Sequence, residues 1–295
     1  NRPLRLLVPG ASGSSQDVLS RILATKLAEQ IRQQVVVDDR AGASGMIGIE
    51  LGKAAAPDGY TLIAATSTLF ATLPALGAKL SFDPDRDFVP LSRMASVSNV
   101  LLVNAGLGVS NVAELVKLAK AKPSQLNYGS AGNGTPAHLG GAMLNALAGI
   151  TTNHIPYKGA AQALTDLLGG QVQLYFAAIP STLPFIKGGR LRALAVSGSK
   201  RASAWPDLPT MKEAGLPEAT SDGWFGLVGP VGVPNVIVTQ LHDDIARLLR
   251  DAKIREALAK GGAEIPNDTT PAAFGKLMQV EYDRYVRLVK EAGLK

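Results

Sequence analysis

Residues 128–138 read YGSAGNGTPAH, a stretch with the order strand, loop and helix. An apolar run over residues 126–129 predicts the strand, and small residues and glycines predict the loop. Thr135 followed by Pro136 is typical of a helix N-cap and first helical residue, and Gly149 marks the helix end. A strand joined to a helix by a short glycine loop is the repeating unit of α/β folds.

The same alternation extends in both directions from this stretch. Short apolar runs rich in β-branched residues predict further strands, and helical spacing of apolar residues separates them. Asn111 with Glu114 forms a capping-box-like helix start. The pattern predicts an α/β protein with two lobes, each a mostly parallel sheet flanked by helices. The predicted strands cover residues 5–9, 35–37, 61–65, 100–103, 126–129, 152–155, 172–176 and 193–196.

The length of 295 residues fits two domains. No flexible linker separates the two sets of strands, and after residue 228 the chain reads as helix only. We therefore expect the chain to cross between lobes through residues 99–104 and 221–228. This predicts a discontinuous first lobe of residues 1–100 plus 226–295, a second lobe of residues 101–225, and a ligand cleft between them.

Composition excludes several classes of function. The chain has no cysteine, which rules out disulfides, thiolate metal sites and cysteine nucleophiles. The net charge of +6 comes from dispersed lysines and arginines, so no nucleic-acid site is predicted. His138, His154 and His242 share no metal-like spacing, and neither a metal nor a cofactor is expected. No apolar run approaches the roughly 20 residues that span a bilayer.

Three loops of small residues follow predicted strands and precede predicted helices: residues 10–17, 40–45 and 129–135. The start of a helix offers unpaired backbone N–H groups and a positive dipole end, which bind anions. Ser130 and Thr135 are expected to add hydroxyl donors, and His138 in the first helical turn is a further candidate donor. A plain strand-to-helix turn explains each loop equally well when it is taken alone.

Other readings of these loops are weaker. The glycine spacing from Gly132 to Ala137 fits a loose dinucleotide pattern, but the acidic residue required about 20 positions later is missing until Asp166. An α/β enzyme acting on a carboxylated substrate needs a general base, and the candidates reduce to His138 and Asp17. No combination of nucleophile, base and orienting residue is evident, so no catalytic residue is predicted.

Several motifs taken together resemble the Bug, or tripartite tricarboxylate transporter receptor, family of periplasmic solute-binding proteins. The similarity covers essentially the whole chain. The matching stretches are residues 37–45, 57–62, 128–139, 155–159, 167–171 and 208–215.

The resemblance implies a Venus-flytrap fold that binds small carboxylates through loop backbone groups and ordered waters. It also implies a monomeric protein of the periplasm, exported with its signal peptide removed, that passes its ligand to membrane subunits of a tripartite tricarboxylate-type transporter. A ligand sensor for a membrane signalling partner is the alternative within this family. The residues expected to bind the ligand are Ser12, Gly13, Ser14, Ser15, Ala43, Ser44, Thr66, Ser130, Ala131, Asn133, Thr135, His138 and Ala177.

Two departures from the family pattern bear on the ligand. The first loop carries Gly10, Ser12 and Ser14 where prolines and aromatic residues are usual, which predicts a wider and more polar pocket. Many members, including amino-acid binders, have an acidic residue after the strand at residues 172–176, where this chain has Ala177 and Ala178. We therefore expect a dicarboxylate without an amine, either aliphatic or aromatic.

Overall fold

The computed structural model describes residues 2–10, 12–42, 45–179, 182–198, 200–202, 205–217, 219, 222–260 and 263–291. The chain forms two compact units. The first comprises Asn1–Ser96, Trp224–Leu258 and Glu264–Tyr285, and the second comprises Val97–Gly223, Ala259–Ala263 and Val286–Lys295. No helix within the described ranges has the length and apolar character needed to cross a membrane.

Strands and helices alternate along most of the chain. The strands are β1 (Leu4–Val8), β2 (Val35–Asp39), β3 (Thr61–Thr66), β4 (Phe88–Val97), β5 (Asn99–Asn104), β6 (Asn127–Ser130), β7 (Asn153–Pro156), β8 (Leu174–Ala178), β9 (Leu191–Val196), β10 (Gly223–Pro230) and β11 (Ala263–Glu264). The α-helices are α1 (Ser15–Ile31), α2 (Met46–Lys53), α3 (Leu73–Ala75), α4 (Val112–Ala121), α5 (Pro136–Ala148), α6 (Ala160–Leu168), α7 (Leu183–Lys187), α8 (Asn235–Arg250), α9 (Ala252–Lys260) and α10 (Pro271–Glu291). A π-helix spans Thr68–Thr72, and a short 3-10 helix spans Ala105–Leu107.

Each unit contains one mixed sheet. The first has the strand order β11-β4-β10-β3-β1-β2, and the second has the order β7-β6-β8-β5-β9. Strand β1 pairs in parallel with β2 and β3, and β10 runs antiparallel to β3. Strand β6 likewise pairs in parallel with β7 and β8, while β5 runs antiparallel to β8 and β9. The two-lobed α/β class predicted from the alternation is confirmed.

The second unit has its core around β5. Five of the six residues of β5 are buried, as expected for a central strand covered on both faces. Helix α4 begins as predicted, because Asn111 accepts the N–H of Glu114 at 2.9 Å and the Glu114 carboxylate accepts the N–H of Ser110 at 2.7 Å. Helix α5 ends at Gly149, whose φ of 59° lies in the left-handed region that favours glycine.

Strand β8 begins two residues later than the sequence predicted. The N–H groups of Gln171 and Val172 both donate to Asp166 O, at 2.9 and 3.4 Å, so the backbone there forms a turn. The strand therefore includes Ala177, which pairs with Val100 and is only 2% exposed. Ala177 packs in the hydrophobic core of the second unit rather than in a loop after the strand.

Candidate functional site

The loop between β6 and α5 is braced by its own hydroxyl groups. Ser130 Oγ donates to Gly132 O at 3.0 Å and accepts the Gly132 N–H at 3.1 Å. Thr135 Oγ1 donates to the same carbonyl oxygen at 2.7 Å. Both hydroxyl protons predicted to face a ligand are therefore used inside the loop, and the donors left for a ligand are backbone groups.

The N-terminus of α5 carries no side-chain cap. Thr135 is the N-cap residue but makes no capping hydrogen bond, since its hydroxyl bonds to Gly132 O. Pro136 has no N–H. Within the described part of the chain, no acceptor is found for the N–H groups of Ala131, Asn133 and Ala137. Such a cluster of N–H groups at the positive end of a helix dipole is suited to an anion.

His138, in the first turn of α5, accepts a hydrogen bond from the loop. Its Nδ1 accepts the N–H of Gly134 at 3.1 Å, and the side chain is buried with 9% exposure. Because Nδ1 is an acceptor, the ring is neutral and carries its proton on Nε2. Burial also lowers the pKa of His138, which keeps the ring neutral near pH 7. Nε2 has no hydrogen-bond partner among the described residues and is a neutral donor.

His154 lies beside the loop and contacts Tyr128, Ser130 and His138. Its ring stacks on His138 with centroids 4.2 Å apart and on Tyr128 at 4.9 Å. Its Nε2 lies 2.7 Å from Ser130 Oγ. No local sequence pattern indicates this role, because His154 is placed beside Tyr128 by the register of two strands. Parallel pairing of the predicted strands 126–129 and 152–155 is the inference from sequence that places His154 next to Tyr128.

Replacing His154 with phenylalanine is expected to reduce the loss of stability in acid. Burial, and secondarily the neighbouring His138, lower the pKa of His154 from 6.5 to about 4. Between these values the unfolded chain binds more protons than the folded protein, so the free energy of unfolding falls as pH drops from 6.5 towards 4. The full shift corresponds to about 3 kcal/mol. Because His154 is only half-buried and solvent screens its charge, we expect this drop to be about 2 kcal/mol larger in the wild-type protein than in the His154→Phe variant.

Urea unfolding at pH values between 4 and 7 measures this difference. Phenylalanine keeps a ring in the stack and removes the titrating group. The account of His154 would be wrong if both proteins lost the same free energy of unfolding across this window.

The loop between β1 and α1 in the first unit is capped differently. Ser14 is the N-cap, and its Oγ accepts the N–H of Asp17 at 3.2 Å. The buried Asp17 carboxylate accepts the N–H of Gly13 at 2.7 Å and pairs with Arg21 Nε at 2.6 Å. Arg21 also pairs with Asp39 at 2.5 Å. This loop therefore contains a carboxylate of its own at the helix start.

The remaining predicted site residues of the first unit differ in exposure and in hydrogen bonding. Ser12 is exposed. Thr66 is half-buried at the end of β3, where its Oγ1 accepts the N–H of Leu69 at 3.3 Å. Ala43, Ser44 and the Ser15 side chain lie outside the described residues. Within the described ranges, no group of three or more histidine or acidic side chains is arranged to hold a metal ion.

Residues 19–294 match the sequence model of the TctC family, whose description is tripartite tricarboxylate transporter family receptor. Three solved structures are similar over nearly the whole chain. A Rhodopseudomonas palustris structure described as "Rpa4515 with adipate" is 34% identical with a TM-score of 0.90, covering 99% of this chain and 98% of that one. The protein MatC from the same organism, with bound malate, is 29% identical with a TM-score of 0.85, covering 98% and 99%. The periplasmic binding protein BugD is 32% identical with a TM-score of 0.86, covering 100% and 99%.

Proposed function

The chain belongs to the TctC family of tripartite tricarboxylate transporter receptors, and we propose that it binds a small dicarboxylate without an amine. As a solute-binding receptor of this family it would act in the periplasm as a monomer and pass its ligand to the membrane subunits of a tripartite tricarboxylate-type transporter. The periplasmic relative BugD supports this location.

The observation that carries the proposal is the neutral donor cluster at the start of α5. The open N–H groups of Ala131, Asn133 and Ala137 and the Nε2–H of His138 belong to one loop and one helical turn. Oriented backbone donors and a helix dipole bind a carboxylate without a lysine or arginine. The other predicted ligand residues, including Ser12–Ser15, Ala43, Ser44 and Thr66, remain part of the proposal as candidates to be tested separately.

The proposal of a ligand without an amine rests on the residue types at the end of β8. An ammonium group needs a carboxylate partner when it is removed from water. Positions 177 and 178 are both alanine, with Ala177 in the core and Ala178 partly exposed. The adipate and malate carried by two similar structures are both dicarboxylates without an amine, which supports the same ligand class.

Catalysis is not part of the proposal, although Ser130 and His154 have the spacing of a nucleophile and its base. Ser130 is 0% exposed, and its hydroxyl donates to Gly132 O, so this pair braces the loop instead of presenting a nucleophile. Of the two candidate bases, Asp17 is held by Gly13 and Arg21, and His138 is held by Gly134.

A thermal-shift screen tests the proposed function. The panel compares adipate, succinate and malate with glutamate, aspartate and acetate at neutral pH. A dicarboxylate present at 100 times its dissociation constant should add about 2.7 kcal/mol to the stability of the folded protein. No shift with any dicarboxylate, or a larger shift with glutamate or aspartate, would contradict the proposal.

A further inference from the structure

The chain passes from the first unit to the second after Ser96 and returns to the first unit at Trp224. Both passages lie at the ends of strands. The first is where β4 ends and β5 begins, with Ser98 between the two strands. The second is at the start of β10, which is the neighbour of β4 in the sheet of the first unit. Short segments at the ends of elements are where proteins place their hinges.

Ser197 connects these two passages within the second unit. Its Oγ accepts the N–H of Asn99, the first residue of β5, at 2.9 Å, and donates its proton to Asp222 Oδ1, also at 2.9 Å. The Ser197 N–H donates to Asn99 O at 2.8 Å, which fixes the serine backbone beside β5. One hydroxyl group therefore bonds to a residue next to each passage.

The surroundings of Ser197 are closely packed. Ser197 is 0% exposed and Asn99 is 9% exposed, so water does not compete for the serine hydroxyl. A Cβ at the adjacent Gly198 would lie 2.6 Å from Ser98 Oγ and 2.9 Å from Lys200 O, so a larger residue would push these segments apart. Because a buried hydroxyl is costly to separate from its partners, the two passages are held together at their second-unit ends.

We propose that Ser197 is a positioning residue that joins the two passages into a single hinge, so that both bend together when a ligand binds. This inference rests on the proposed function, because hinge closure around a ligand is the motion of periplasmic binding proteins. While the hydroxyl bonds to both Asn99 and Asp222, neither passage bends without the other. Without the hydroxyl each passage bends by itself, and the barrier to opening and closing falls.

The first test compares Ser197→Ala with Thr182→Val by stopped-flow kinetics with adipate at pH 7. Thr182 is the matched control, because it is also 0% exposed in the second unit and its hydroxyl donates within its own turn, to Ile179 O at 2.7 Å. Ser197→Ala should raise both the association and the dissociation rate constants about tenfold, the effect of removing one buried hydrogen bond from a barrier. The dissociation constant should stay within about threefold of the wild-type value, since the open and closed end states are unchanged. Thr182→Val should leave both rate constants unchanged.

The second test uses Asp222, which accepts the same hydroxyl proton. Asp222→Ala removes the acceptor and should raise the two rate constants as Ser197→Ala does. Asp222→Asn keeps an acceptor oxygen and should restore rate constants within about twofold of the wild-type values. Hydrogen exchange of the ligand-free protein adds a readout that needs no ligand. The amides of Gly223 and Trp224 should exchange about tenfold faster in Ser197→Ala than in Thr182→Val.

Unchanged rate constants in Ser197→Ala would overturn the proposal and leave the proposed function standing. A loss of affinity shared by Ser197→Ala and Thr182→Val would also overturn it, because that loss would come from a weakened fold. A wild-type protein that binds no dicarboxylate would overturn the proposed function, and the exchange comparison would then decide whether Ser197 couples the passages. If Ser197→Ala fails to fold, the comparison of Asp222→Ala with Asp222→Asn decides instead.

Discussion

Replacing Gly141 with alanine is expected to lower the free energy of unfolding by about 3 kcal/mol, through overpacking of the second unit. Gly141 lies in α5 against the buried ring of Tyr128 in β6, and a Cβ at this position would overlap that ring. Tyr128 in turn stacks on His154, which contacts Ser130 and His138. Displacement of the Tyr128 ring should therefore shift His154 and the loop that it contacts, and we expect adipate binding to weaken at least tenfold.

Gly169→Ala is the matched control for this substitution. Gly169 ends α6 in the same unit with a φ of −79°, and an added Cβ would meet its nearest atom at an ordinary 3.5 Å. Urea unfolding and calorimetry should show little change in this variant. If a folded Gly141→Ala protein binds adipate as tightly as the wild-type protein, the packing of Tyr128 does not affect ligand binding by the loop, contrary to our expectation.

Replacing Phe274 with alanine is expected to cost about 4 kcal/mol of stability, the range typical of large-to-small core substitutions. Phe274 lies on α10, is 0% exposed and packs edge-on against Trp224 with ring centroids 5.1 Å apart. Its ring also fills the space above Gly226 in β10, where a Cβ would overlap it. The substitution would leave a cavity under the sheet of the first unit.

Val280→Ala on the same helix is the control, because Val280 is 52% exposed and should change the unfolding free energy by less than about 0.5 kcal/mol. Both variants are measured by urea unfolding at pH 7. A loss below about 1 kcal/mol for Phe274→Ala would mean that α10 is not fixed to the sheet by this residue.

Local patterns predicted much of the fold because they depend on neighbours in sequence. The start of α5 at Thr135 and Pro136, its end at Gly149 and the Asn111–Glu114 cap of α4 all follow from backbone chemistry within a few residues. The ten-residue strand β4 was not predicted. Its apolar residues are interrupted by Pro90, Ser92 and Arg93, and so it lacks a clear period of two.

The site was harder to predict because its geometry depends on contacts between elements. The sequence identified the 129–135 loop and His138, but not that Ser130 and Thr135 would both bond to Gly132 O. Which groups remain open for a ligand depends on this internal bonding. His154 reaches the loop through strand register, which no local sequence pattern shows.

We propose that backbone donors of the β6–α5 loop bind a ligand carboxylate, and NMR spectra of isotopically labelled protein titrated with adipate report on each of these donors. We expect the Ala131, Asn133 and Ala137 amide protons to move downfield as they gain a charged acceptor, and His138 Nε2–H to be affected at the same adipate concentrations. Saturable adipate binding that leaves these resonances in place while others move would contradict it.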